Sequence, residues 1–223
     1  MDREPVSSRR SLAERREQLL DAAIEVMSDR GISGATTRAI TERAGVPHGV
    51  FHYCFDSKAA LLRALLTRES ERALSTAWQL DPGSEGLTEA LSTAIHGQLA
   101  RVRAEPKQFL VLAELIVVAR TDPALTDLAL WERTQYLDLI AELLGKWQKD
   151  TPPAVLRHWA AVILAGIDGL IDGWLTARDD DTTGAAATLF ASSVGAAVQS
   201  MNTERAETRH EDRASNAGKA VLT

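Results

Sequence analysis

The sequence predicts an all-α chain. Three observations carry that expectation. Ala and Leu dominate while aromatic residues make up only 5% of the 223 residues, a composition that favours helices over sheets. Apolar residues recur at helical spacing in segment after segment, beginning with Leu19, Leu20, Ala23, Ile24 and Met27. No β-hairpin signal, internal repeat or heptad run interrupts that pattern.

Residues 1–11 are polar, with a Ser-Ser pair and a Pro, and read as a flexible N-terminal arm. The first helix begins at Leu12 and is expected to stop at Gly31, a C-cap residue preceded by Arg30. A short second helix opens at Thr36 or Thr37, either of which can cap it. A third spans about Pro47 to Phe55, with Pro47 in the first turn where its missing N–H costs nothing. Asp56 or Ser57 then caps a long helix to about Gln79. Asp81-Pro82-Gly83-Ser84-Glu85-Gly86 is the clearest break in the chain and reads as a loop.

Beyond the break, helices are expected over about Leu87–Ala104, from Pro106, from Asp122-Pro123, from Thr151-Pro152-Pro153 to about Arg178, and from Asp181-Thr182 to near Asn202. Residues 203–223 are charged and small, lack periodicity, and read as a disordered tail. About nine helices result. They divide into a three-helix head over 12–56 and a larger body over 57–202.

Charge and cysteine usage narrow the function. The net charge of -6 argues at first against nucleic acid, but residues 1–58 hold nine basic and nine acidic side chains, so the acidic excess belongs wholly to the body. The single cysteine, Cys54, permits no intramolecular disulfide and fits a reducing cytoplasm. No run approaches the roughly 18 apolar residues of a membrane span, and the N-terminus has no apolar signal core, so a cytoplasmic protein without a membrane partner is expected.

The densest information lies in Ala44-Gly45-Val46-Pro47-His48-Gly49-Val50-Phe51-His52-Tyr53-Cys54-Phe55-Asp56-Ser57-Lys58. A helix ends, a glycine supplies the positive φ of a tight turn, and a short helix follows, which is the pattern of a helix-turn-helix. Val46 and Phe51 are placed to fill the angle between the two helices, and Phe55 to join the core. His48, Gly49, Val50, His52 and Tyr53 are left facing outward. The combination of Thr36-Thr37-Arg38, Ala44-Gly45-Val46, the glycine six residues before Phe55, and Ser57-Lys58 resembles the N-terminal domain of TetR-family transcriptional regulators, from about Arg15 to Leu66.

That resemblance implies a sequence-specific DNA-binding regulator, a repressor released from its operator by a small-molecule effector. Pro47, His48, Gly49, Val50 and His52 would enter the major groove, and Val50 could pack on a thymine methyl. Tyr53, Thr37 and Lys58 would hold phosphates, and Arg38 a base edge or a phosphate. The chain departs from the family's commonest wording at Pro47-His48 and Val50-Phe51-His52, so its operator cannot be borrowed from a relative. A helical enzyme or ligand carrier that keeps the head only as scaffold is the distinct alternative, and a protein–protein interaction module a third.

Two features of the body carry further expectations. In the helix at about 153–178, Leu156, Trp159, Ile163, Ile167, Leu170, Ile171 and Trp174 form a bulky face. Ala161, Ala165, Gly169 and Gly173, each four apart, form a small-residue ridge opposite it. Such a ridge admits a close helix, from the same chain or from a second copy. The resemblance favours a homodimer, with Phe190 and the rest of the last helix completing a four-helix interface on a palindromic operator. His96, Phe109, Glu114, Trp131, Gln135 and Asp168 are aromatic or polar residues among aliphatics, suited to an apolar organic effector with one or two polar groups. No cofactor, catalytic group or metal site is expected. The five histidines show no metal-ligand spacing apart from His48 and His52, which lack a partner carboxylate or thiol.

Overall fold

The computed structural model describes residues 11–77 and 86–220, with side chains described over 11–74 and 86–200. Among the described residues there are nine helices and no strand. They are α1 (Leu12–Gly34), α2 (Thr37–Arg43), α3 (Gly49–Cys54), α4 (Lys58–Ala77), α5 (Leu87–Ala104), α6 (Pro106–Thr121), α7 (Thr126–Trp147), α8 (Pro153–Ala177) and α9 (Asp180–Ala220). The expected arm, the end of α4 near Gln79 and most of the loop after it lie outside the described residues.

The helices group into two compact units. The first combines α1–α4 as far as Ala73 with 105–132; the second combines 74–104 with everything from Arg133 onward. The head is therefore larger than the expected 12–56. It takes in α6, which packs along α1. Val111, Leu115 and Ala119 of α6 join Leu19, Ala23, Val26, Phe51, Leu61 and Leu65 in one buried cluster.

Local chemistry accounts for most helix ends. Ser11 and Glu14 make a reciprocal capping box at the start of α1. Thr36, not Thr37, caps α2 by accepting the Ala39 N–H at 3.1 Å. Gly31, at φ 70° and ψ 170°, breaks the helical path of α1, but one more turn follows before the chain leaves at Gly34. Pro47 lies in the turn ahead of α3, with His48 as N-cap, instead of inside the helix. Asp122 closes α6 and accepts the Ala124 N–H at 2.9 Å, so Asp122-Pro123 makes a turn and α7 starts only at Thr126. Asp179 caps α9 through the Thr182 N–H at 2.9 Å. The last helix continues to Ala220, past Asn202 and through the expected tail. The Ala, Glu and Arg residues there have high intrinsic helix propensity, which a reading based on apolar periodicity overlooks.

In the second unit, α5, α8 and α9 pack on one another, burying Leu91, Ile95, Leu99, Ile163, Ile167, Ala191 and Val198 with Ile140 and Leu144 of α7. Two glycines mark the closest approaches. A Cβ added at Gly166 would lie 2.1 Å from the Phe190 ring, and one at Gly195 would lie 2.2 Å from the Thr88 hydroxyl. Glycine is therefore what lets α9 lie against α8 and α5.

Candidate nucleic-acid interface

The helix-turn-helix is built from one buried and one outward set of residues. Gly45 turns the chain at φ 65°. Phe51, Cys54 and Phe55 are buried, and Val46 packs half-buried against the same cluster. Two long-range bonds hold the motif in place. Gln18 of α1 donates to the Ala44 carbonyl at 2.7 Å, and Arg16 donates to the Cys54 carbonyl while its guanidinium lies 4.3 Å from the Phe55 ring centroid. No local pattern announces these contacts, since their partners are 26 and 38 residues away.

Of the residues expected to face outward, all but Val50 are exposed. Pro47, His48, Gly49 and His52 are exposed, and Tyr53 is 73% exposed, so it is not a core residue. Val50 is half-buried against the core of the first unit, which leaves only part of it for a thymine methyl. Among the described residues, nothing lies within 4 Å of a Cβ placed on Gly49, so they leave the backbone there open to a close partner.

The expected phosphate ligands divide. Arg38 is exposed and paired with Glu42 at 2.9 Å, an exposed pair that an anion can compete for. Thr37 is half-buried at the start of α2. Lys58 is turned inward: its ammonium donates to the Ile32 carbonyl at 2.8 Å, and burial lowers its pKa. The lysine is committed to the α1 turn, so the free cation expected from the sequence is not offered there. Burial likewise raises the Cys54 thiol, which fits a packing role and not a reactive thiolate.

The residues expected to line an effector pocket are divided between the two units, Phe109, Glu114 and Trp131 in the first and His96, Gln135 and Asp168 in the second. His96 is tied to the Ser92 carbonyl at 2.9 Å and faces the Thr188 hydroxyl at 3.4 Å. Glu114 accepts the Ile32 N–H at 3.3 Å. Trp131 packs half-buried against the first unit's core. Phe109 and Gln135 are half-buried and Asp168 is exposed. The cavity found in the second unit is lined instead by Leu87, Ala90, Leu91, Ile140, Leu143, Leu144 and Trp147, and its volume is about 10 Å³. That is room for roughly one water, not for an organic ligand.

On α8 the bulky face turns inward, and Leu156, Ile163, Ile167 and Trp174 are buried. Ala165, Gly169 and Gly173 are exposed and Ala161 is half-buried. Among the described residues, no atom lies within 4 Å of a Cβ at Gly169 or Gly173, so none of them covers that part of the ridge. The half-buried Phe190 ring packs against Gly166, and among the described residues Leu189, 69% exposed, is a large apolar side chain that α9 presents outward.

Comparison with known proteins agrees with this architecture. The family described as bacterial regulatory proteins, tetR family, matches residues 19–65, a span that covers α2 and α3, the buried residues of α1 and the first part of α4. The chain is similar to the HTH-type transcriptional regulator BetI of Cronobacter sakazakii, at 30% identity over 167 residues, 73% of this chain and 79% of that protein. It is also similar to the nicotine-responsive transcriptional repressor HdnoR of Paenarthrobacter nicotinovorans, at 27% over 162 residues, 71% of this chain and 82% of that one. A TetR-like transcriptional regulator from Rhodococcus sp. RHA1 superposes with a TM-score of 0.60 at 26% identity, over 84% of this chain and 96% of its own. These relatives are regulators, and they favour that reading over a helical enzyme with a borrowed scaffold. With its head, its turn and its outward face so placed, the chain belongs to the TetR family of helix-turn-helix transcriptional regulators.

Proposed function

We propose that the protein is a cytoplasmic repressor that binds a palindromic operator as a homodimer and is released by a small organic effector, without catalytic activity of its own. The observation that carries the DNA contact is the two-sidedness of α3. Phe51 and Cys54 anchor it, while His48, Gly49, His52 and Tyr53 stand free on the other side. Base edges are read by side chains so placed, while phosphate contacts fix register. Arg38 would supply one such phosphate contact and Thr37 another.

Dimerisation is supported by α8. An 18-residue stretch of this helix has a mean hydropathy of 1.5 and is long and apolar enough to cross a membrane, yet only 22% of that stretch is buried within the chain. Arg157, Asp168 and Asp172 interrupt it, which disfavours a lipid partner. A second copy of α8 and α9, meeting at Val162, Ala165, Gly169, Gly173 and Leu189, would cover the small ridge and place two recognition helices on successive major grooves roughly 34–36 Å apart.

A relative's response to nicotine supports an organic effector for this chain. A ligand entering at the water-sized cavity beside α5 and α7 would have to open the packing there. The test is selection of bound sequences from random duplex DNA, repeated with panels of organic effectors. Recovery of a two-fold symmetric site supports the reading. Recovery of no preferred sequence overturns it.

A further inference from the structure

His48 and His52 stand one helical turn apart on the exposed side of α3, with their rings edge to face and centroids 5.4 Å apart. Among the described residues, no hydrogen bond or ion pair engages either ring. The charged groups of the neighbouring elements are mostly occupied. On α2, Arg38 is paired with Glu42, and Arg43 with Glu25 and Asp29 of α1. On α1, Arg15 donates to Gln18, Arg16 to the Cys54 carbonyl, and Glu14 accepts from Ser11. Glu17 and Asp21 are held by Arg68, and Lys58 by the Ile32 carbonyl. Arg30, at the far end of α1, and Asp56, just after α3, are exposed.

Among the described residues of α3 there is no Lys or Arg, and the helix with its N-cap carries two groups that can acquire positive charge. We infer that DNA binding takes up protons at His48 and His52, so that the operator complex tightens as pH falls through the neutral range. The inference rests on α3 being the groove-facing helix. Imidazole titrates near neutrality. Beside phosphates, the cationic form of an imidazole is favoured. A protonated ring also offers two N–H donors, fit for a phosphate oxygen or the N7 and O6 acceptors of guanine. The sign follows directly: a pKa raised in the complex adds affinity that is present below the free-protein pKa and lost as pH rises through the bound pKa. Each proton taken up changes affinity by at most about tenfold per pH unit.

The experiment uses a duplex selected from random DNA at pH 6 and pH 8, and the full chain. Fluorescence anisotropy at fixed ionic strength from pH 5.5 to 8.5 compares the natural protein with His48→Gln, His52→Gln and the double variant. The natural protein should lose about 3–10-fold in affinity per pH unit over the steep part of the range. Each single variant should lose part of that slope, and the double variant should bind more weakly but without pH dependence. NMR titration of the histidine ring protons should give higher apparent pKa values with DNA than without. A flat profile for the natural protein, a full slope in the double variant, or equal ring pKa values with and without DNA would overturn the inference. A bound duplex with a flat profile overturns this inference alone. Failure to select any duplex overturns the DNA-binding reading as well.

Discussion

Glu114 of α6 accepts the backbone N–H of Ile32 at 3.3 Å, across the turn that Gly31 makes in α1. The carbonyl of the same Ile32 accepts the Lys58 ammonium at 2.8 Å. Both polar groups of one residue are therefore held by side chains from two other helices, α6 and α4. This joins α6 to the DNA-binding head through a specific bond as well as through packing. Glu114→Ala should leave the Ile32 amide without its partner and cost about 0.5–1.5 kcal/mol. Glu114→Gln, which keeps an acceptor, should cost less. Gly31→Ala should cost about 1–2 kcal/mol because an alanine at φ 70° is strained. Urea denaturation of the three variants checks the order.

Lys58 and Tyr53 should separate structural from DNA contacts. Lys58→Met is expected to lower stability by about 1–2 kcal/mol through loss of the Ile32 bond. It should leave the salt dependence of operator affinity unchanged, since the ammonium is engaged inside the head. Tyr53→Ala and His52→Ala should keep the melting temperature and weaken binding to the selected site. A loss of about one unit of log–log salt slope in Lys58→Met would show that this lysine reaches a phosphate after all.

The two glycines at 166 and 169 of α8 should behave oppositely. At Gly166 a Cβ would lie 2.1–2.6 Å from Phe190 ring atoms, so Gly166→Ala should overpack the α8–α9 contact and cost about 1–3 kcal/mol. At Gly169 the described residues leave open space, so Gly169→Leu should leave each folded subunit intact and disrupt the proposed dimer. Sedimentation and thermal melting of both variants give the contrast. An intact Gly169→Leu dimer would exclude this ridge as the contact.

The junction between α8 and α9 carries an acid-sensitive contact. Asp180 accepts from the Trp174 indole at 2.8 Å and from Arg103 at 2.6 Å, and these bonds lower its pKa below the usual 3.8. A carboxylate with a depressed folded pKa adds stability that is complete above its unfolded value and disappears as pH falls through the folded one. Asp180→Asn should therefore lose stability at pH 6 and show a shallower further decline below pH 3.8 than the natural protein. Melts between pH 6 and pH 2.5 test this.

Arg178 caps α8 in the left-handed region at φ 56° and ψ 31°, with its guanidinium 4.5 Å from the Trp174 ring centroid. Replacement by glycine relieves about 1 kcal/mol of backbone cost and forfeits about 0.5–1 kcal/mol of cation–π attraction. Arg178→Gly should be nearly neutral. Arg178→Ala loses the attraction and keeps the strain, so it should be the less stable of the two in a thermal melt.

Much of the architecture was legible along the chain because its causes are local. Gly45 and its positive φ, the Ser and Thr caps, Pro106 and Pro153 at helix starts, and the 3.6-residue recurrence of apolar side chains specify the helices and the turn without reference to anything distant. The same locality placed His48, His52 and Tyr53 outward and Phe51 and Phe55 inward, since a six-residue helix has few ways to bury an aromatic pair. The ridge of Ala165, Gly169 and Gly173 followed from helical geometry alone. What depended on tertiary structure was every role set by a partner far away in sequence. Lys58 points at Ile32 instead of solvent, Glu114 serves the head instead of a pocket, Phe190 is taken by Gly166, and α6 returns to α1. No residue's own chemistry dictates those pairings: a carboxylate or an ammonium takes whichever oppositely polar group the packing of apolar faces brings within about 3 Å.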